Sequence, residues 1–132
     1  MQSSPWGSIQ HIEAVAPGIV WVSTPGHGGI GINKAAAARQ LTPEAICRGI
    51  SWGEHLFFEE DCAWAIVAYE LPAVRAQVFG HAEISEAEQE AYLLGILSQW
   101  NRTYLLGRGI EPTTREYFCE ECRSTVNCIH QA

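Results

Sequence analysis

The chain has 132 residues, of which 47% are hydrophobic and 17% are charged, so its composition suits one globular domain with a single core. Fifteen acidic side chains oppose eight basic ones, which gives a formal net charge of -7 at pH 7. Because nonspecific binding of DNA or RNA needs a basic footprint, we expect no direct contact with nucleic acid. The acidic balance instead suits a partner protein with a basic surface.

The sequence predicts a cytoplasmic location. No basic segment followed by an apolar run marks a signal peptide, and no apolar stretch approaches the ~20 residues of a membrane helix. Thiols stay reduced in the cytosol, so the five cysteines are expected to be metal ligands or core residues rather than disulfides. Cys47 and Cys62 lie in apolar stretches and are predicted to be small core residues.

The first half of the chain predicts an irregular start and then a hairpin. Residues 1–17 contain turn signals, whereas residues 18–23 are β-branched and aromatic and predict a strand. A glycine-rich break at residues 24–29 precedes a short second strand at residues 30–32. The tip of this hairpin carries His27.

Helix signals follow in three places. Asn33 is expected to cap a short helix, and Thr42 followed by Pro43 repeats that signal. Ser85 with Glu88 forms a capping box in front of an apolar face that continues to Trp100.

Residues 62–69 fit a helix capped by Asp61, whereas residues 64–69 also fit a buried strand, because periodicity cannot separate the two for a short apolar run. The acidic start and the three alanines favour the helix.

These elements predict an α+β fold with a small antiparallel sheet or hairpin packed against two to four helices. The compact domain is expected to span residues 1–105. Residues 106–132 are interpreted as a linker and a C-terminal zinc knuckle.

The cysteine tail is the most specific chemical signal. Three thiols and one imidazole form a complete tetrahedral ligand set for a structural Zn²⁺ ion: Cys119, Cys122, Cys128 and His130. Two alternatives stay open, namely a terminus with incidental cysteines and a site in which another histidine supplies the fourth ligand.

Two further clusters are candidate sites. Glycines on both sides of His27 let the backbone approach a ligand closely, and the imidazole can act as an acid or base near neutral pH. Glu59, Glu60 and Asp61 can share a proton or bind a cation if a histidine lies near them in space. The alternatives are a locally hydrogen-bonded turn for His27 and a helix N-terminus for the three carboxylates.

Three segments resemble a known family: Trp6-Gly7, residues 23–29 (STPGHGG) and residues 58–65 (FEEDCAWA). They are similar to motifs of the DUF7007 family, small proteins of unknown function from proteobacterial, phage and plasmid genomes. The chain departs from that pattern at Gly26, where serine is usual, and at Phe57-Phe58, where Trp-Tyr is usual. The resemblance implies a mobile-element setting and favours a functional role for His27 and the three carboxylates. It implies no catalytic residues.

The sequence therefore favours a phage- or mobile-element-encoded accessory protein that acts by protein–protein binding. The expected partner is a host defence complex with a basic surface, which an acidic domain would inhibit in the manner of an anti-CRISPR protein. Two alternatives remain: a small enzyme or ligand-binding protein that uses His27 with Glu59, Glu60 and Asp61, and a structural module stabilised by zinc. Enzyme activity is the less favoured interpretation.

Overall fold

The computed structural model describes residues 2–80 and 82–113. Its strands are β1 (Ser3–Ser4), β2 (Gly7–Ser8), β3 (His11–Ala16), β4 (Ile19–Ser23), β5 (Gly28–Asn33), β6 (Ile50–Trp52) and β7 (His55–Glu59). Its helices are α1 (Lys34–Gln40), α2 (Pro43–Ile46), α3 (Trp64–Glu70), α4 (Pro72–Phe79), α5 (Glu86–Trp100) and α6 (Arg102–Gly107). Strands β1 and β2 form a small antiparallel pair, and the other five form an antiparallel sheet in the order β3-β4-β5-β7-β6.

The α+β class is confirmed, but the predicted number of helices and the predicted extent of the sheet were too small. The described residues hold six helices, not two to four, and a five-stranded sheet beside the two-stranded one. The prediction of an irregular start was also wrong, since β3 lies within residues 1–17. Its first four residues are all exposed, so it shows no buried alternation, and only its pairing with β4 defines it as a strand.

The predicted hairpin turn and the three predicted helix caps are confirmed. The hairpin of β4 and β5 pairs Ser23 with Gly28, which places His27 in its connecting turn. The side-chain oxygen of Asn33 accepts hydrogen bonds from two N–H groups of α1. Thr42 caps α2, and the capping box of Ser85 and Glu88 opens α5.

The ambiguous stretch at residues 62–69 is a helix, as favoured, but its predicted cap was wrong. Helix α3 begins at Trp64, and its first flanking residue is Ala63, which provides no side-chain hydrogen bond. The three carboxylates therefore precede the helix by several residues instead of forming its N-terminus. They occupy the end of β7 and the turn that follows it.

The sheet has two faces with different coverings. Its helix face carries side chains of the main core, including Ile30, Ile32 and Phe58. The opposite face, called here the outer face, carries residues that are cross-strand neighbours in two rows. The first row is Ile12, Val22, Gly29 and Glu59, and the second is Ala14, Val20, Gly31, Phe57 and Ile50.

A buried polar cluster, called here the Glu70 clasp, ties α6 to α2 and α3. The Glu70 carboxylate, whose side chain is 5% exposed, accepts hydrogen bonds from the Thr42 N–H at 2.8 Å and the Thr42 hydroxyl at 2.5 Å. It also accepts from the Tyr104 hydroxyl and pairs with the Arg108 guanidinium at 3.1 Å. Burial, followed by the hydrogen bond to Glu70, raises the pKa of Tyr104 well above its usual range.

Two predictions are not decided by the described residues. The predicted zinc ligands Cys119, Cys122, Cys128 and His130 lie outside them, and the division of the chain near residue 105 stays a prediction. Within residues 2–80 and 82–113, no helix combines the length and the apolar character needed to cross a membrane.

Candidate functional site at the β4–β5 turn

The turn that carries His27 is held by Thr24. The Thr24 N–H and hydroxyl both donate to the carbonyl oxygen of His27, at 2.8 and 2.9 Å, and the His27 N–H donates to the Thr24 hydroxyl at 3.1 Å. Threonine is suited to this role because its hydroxyl can bond to nearby backbone. The backbone of His27 is thus fixed, while its side chain is 53% exposed and free to meet another group.

Gly29 allows Trp6 to lie on the sheet. A Cβ atom at Gly29 would stand 2.2 Å from the carbonyl oxygen of Phe58 and 2.7 Å from Cη2 of Trp6. The Trp6 ring also meets the Phe57 ring edge to face, with centroids 5.6 Å apart. The three motif segments noted in the sequence therefore converge here, since Trp6 packs on the strand that follows His27 and beside the strand that ends in Glu59.

The resulting cluster, called here the acidic corner, consists of His27, Glu59 and Asp61. Nδ1 of His27 lies 3.9 Å from Oε1 of Glu59, which is an ion-pair distance when the imidazole is protonated. A hydrogen bond to Asp61 is the main cause that raises the pKa of Glu59, and burial and the negative charge of Asp61 add to it. Two carboxyl groups that share one proton beside an imidazole can accept or release protons.

Glu60 does not join this corner. Its Oε2 atom lies 3.0 Å from the position that a Cβ at Gly28 would occupy, and its N–H donates to the Gly28 carbonyl oxygen. Neighbouring residues of a strand point to opposite faces, so Glu60 lies against the other side of β5 from the one that Trp6 covers. The structure thus brings together His27, Glu59 and Asp61 of the four candidate residues.

We expect the shared proton to be visible by carboxyl NMR. The Glu59 carboxyl should titrate above the usual range of glutamate, and Asp61→Asn should lower that pKa because it removes a neighbouring negative charge. The folded-state pKa is raised, so this group stabilises the fold fully at pH values below its unfolded pKa. That contribution is lost as the pH rises through the folded pKa. Equal Glu59 pKa values in both proteins would contradict the shared proton.

The acidic corner is not a preformed metal site. Within residues 2–80 and 82–113, no three histidine, cysteine, aspartate or glutamate side chains are arranged so that they could hold a metal ion.

The two described cysteines have different surroundings. Burial, with the charges of Glu59 and Asp61 next, raises the pKa of Cys62, so its thiol is protonated at neutral pH and a weak nucleophile. Cys47 is exposed, and its thiol donates to the Glu44 carbonyl oxygen at 3.1 Å. The prediction that Cys47 is a core residue was therefore wrong, because Cys47 follows the end of α2 at a solvent-exposed position.

A groove on the outer face was not predicted from the sequence. It lies between β1 and the β6–β7 hairpin, has a volume of about 290 Å³ and is lined by Gln2, Ser3, Trp52, Glu54, His55 and Phe57. We call it the tryptophan groove. The indole N–H of Trp52 donates to the Ser3 hydroxyl at 3.2 Å, and 44% of Trp52 is exposed. The only sequence signal was the presence of five tryptophans, which suit either core or contact positions.

Comparison with known proteins identifies a family. A family model described as a domain of unknown function, DUF7007, matches residues 1–102, a span that contains the acidic corner and the tryptophan groove. Comparison with curated proteins finds no significant match, and comparison with solved structures finds none either. The match covers more than half of the chain, and the chain therefore belongs to the DUF7007 family.

Proposed function

We propose that this chain is a binding protein that docks its outer face on a basic surface of a partner protein. The observation that carries the proposal is the combination of exposed apolar side chains and carboxylates on that face. Ile12, Ile50 and Trp52 are 49%, 42% and 44% exposed on this face of the sheet. Interfaces commonly place such anchors at the centre and polar groups at the rim.

Three carboxylates lie on the same face or at its edge. Glu59 is in the same cross-strand row as Ile12, Asp61 lies beside Glu59, and Glu54 follows Trp52 in the β6–β7 turn. An acidic rim attracts a basic partner surface over long range and disfavours acidic ones. Glu54, Glu59 and Asp61 contribute three of the fifteen acidic side chains behind the net charge of -7.

The partner class follows from the same chemistry. Host defence complexes hold nucleic acid on basic protein surfaces, and an acidic domain that covers such a surface competes with the nucleic acid. We place this activity in the cytoplasm of a host cell, as an anti-CRISPR-like function of a phage or another mobile element. The resemblance to mobile-element proteins supports this setting.

The test is a pair of tryptophan variants with matched exposure. Trp52 on the outer face is 44% exposed, and Trp100 at the end of α5 is 45% exposed. Against purified RNA-guided nuclease complexes, Trp52→Ala is expected to weaken binding about 30-fold, the loss of a typical interface anchor. Trp100→Ala should change it little. Affinities would be measured by biolayer interferometry, and equal losses in both variants would place the contact elsewhere.

A second candidate function is a small enzyme or ligand-binding protein built on the acidic corner. The 3.9 Å approach of His27 to Glu59, together with the hydrogen bond between Glu59 and Asp61, favours it. Such a protein would use His27 and the carboxyl pair for proton transfer. The Glu59 titration described above tests this function, because an ordinary Glu59 pKa would remove its proton source.

The structural zinc site remains a proposal from the sequence. We expect one zinc ion per chain, bound by Cys119, Cys122, Cys128 and His130, and its loss in Cys122→Ser. Cys47→Ser is the matched control, since it removes an exposed thiol outside the tail and should keep the metal. Elemental mass spectrometry of the purified proteins measures both. Wild-type protein without zinc would end this proposal, and another histidine would be implicated if His130→Ala retained the ion.

A further inference from the structure

The tryptophan groove combines an aromatic surface with a carboxylate. Trp52 supplies a ring whose edge is anchored by the hydrogen bond to Ser3, and the Phe57 ring forms the base, where it is held by Trp6. The His55 ring lies beside Phe57, with centroids 6.1 Å apart. Aromatic rings attract cations through their faces, and tryptophan does so most strongly.

Glu54 contributes a negative charge to this groove. The ion pairs within residues 2–80 and 82–113 are His27 with Glu59 and Arg108 with Glu70, so no described cationic side chain pairs with Glu54. Lysine and arginine side chains do not line the groove among these residues either. Burial, and next the charge of the N-terminus, lower the pKa of His55, which disfavours a positive charge on its imidazole.

We propose that the tryptophan groove receives an arginine side chain of the partner protein. A guanidinium is planar, so it can stack on the Trp52 ring and donate hydrogen bonds to the Glu54 carboxylate at the same time. It is also more weakly hydrated than an ammonium group, so it loses less hydration free energy when it leaves water. This inference rests on the proposed function and deepens it, since it names the chemical group that the outer face recognises.

The size and openness of the site fit a side chain better than a free metabolite. A volume of about 290 Å³ is at the small end of the range of ligand pockets. The groove lies at β6, an edge strand that pairs with β7, so no further strand of the described sheet lies beyond it. Ile50 is exposed on the same strand. It would then contact the apolar groups that surround that arginine on the partner protein.

The experiment compares Nα-acetyl-L-arginine amide with the corresponding citrulline compound, which has nearly the same shape but no charge. Binding would be followed by ¹⁵N NMR at the Trp52 indole N–H and at the amides of Gly53 and His55. We expect shifts that saturate with arginine and an affinity for citrulline about tenfold lower, as one cation–π contact and one exposed ion pair would give. Equal affinities, or no shifts with arginine, would overturn the proposal.

Three variants locate the binding. Glu54→Gln should abolish the preference for arginine over citrulline, and Trp52→Leu should abolish the shifts at Gly53 and His55. Glu13→Gln removes the same charge from β3, where Glu13 bonds to Gln77, and should bind arginine like the wild type. A loss as large in Glu13→Gln as in Glu54→Gln would show a general charge effect and reject the groove.

The outcome separates this inference from the proposed function. If Trp52→Ala weakens binding of the nuclease complex while arginine amide never binds, the docking face stands and its recognition of arginine fails. If arginine amide binds the groove but no complex binds the protein, the groove stands and the proposed partner class fails. Dispersed amide spectra of every variant confirm that each one is folded.

Discussion

Replacing Gly29 by alanine is expected to destabilise the protein by about 3 kcal/mol or more, through a clash that cannot relax locally. The new methyl group would stand 2.2 Å from the backbone carbonyl oxygen of Phe58, and the Trp6 ring blocks its other side. Strand β5 lies in the middle of the sheet between β4 and β7, so moving it would break pairing on both sides. Urea denaturation would measure the loss of unfolding free energy.

Gly26→Ala is the matched control for this prediction. It is the same substitution three residues earlier, so the effect on the unfolded chain is the same. A Cβ at Gly26 meets nothing within 4 Å, and Gly26 is exposed, so the change should stay within about 0.5 kcal/mol. This also accounts for the tolerance of glycine at a position where the resembled motif has serine. A small effect of Gly29→Ala would mean that Trp6 and β7 can move away from β5.

The elements that were predicted from the sequence are those with local signals. Asn33, Thr42 and Ser85 each bond to backbone N–H groups within three residues, so short stretches of sequence suffice to locate α1, α2 and α5. The β4–β5 hairpin is similar, because glycines and a proline mark its turn.

Strands β3 and β7 were missed for opposite physical reasons. The first four residues of β3 are all exposed, so no apolar alternation marks them. In β7, Leu56, Phe57 and Phe58 are all buried, since the helices cover one face and Trp6 covers the other. In both strands the period-two pattern is lost, and it is the main signal of a strand in sequence.

The candidate site was also predicted only in part. His27 and Glu59 were singled out separately, but their proximity depends on the register that pairs Gly29 with Glu59. Asp61 was expected to cap a helix and instead bonds to Glu59. The tryptophan groove depends on a contact between Ser3 and Trp52, which lie far apart in the chain. Residue types predicted the chemistry, whereas tertiary pairing decided which residues meet.

Glu70→Ala is expected to lower the unfolding free energy by about 3–5 kcal/mol, because it leaves the Thr42 N–H and the Arg108 guanidinium without their common acceptor. The Glu70 clasp joins three helices through one carboxylate, and its loss also removes the acceptor of the Thr42 and Tyr104 hydroxyls. Tyr104→Phe should cost less, about 1 kcal/mol, since Glu70 keeps its other donors. Glu90→Ala removes an exposed carboxylate from α5 and should change the unfolding free energy little.

A double-mutant cycle on Glu70 and Arg108 distinguishes a buried, coupled ion pair from a weak surface ion pair. Arg108 is 27% exposed at its side chain, whereas Glu70 is 5% exposed, so the penalty for an unpaired charge falls mainly on Glu70. Arg108→Met alone should therefore destabilise the protein, and Glu70→Leu with Arg108→Met should cost less than the sum of the two single changes. Strictly additive costs would mean that Glu70 and Arg108 act independently. In that case the hydrogen bond from Tyr104 to Glu70, and not the ion pair, would tie α6 to α3.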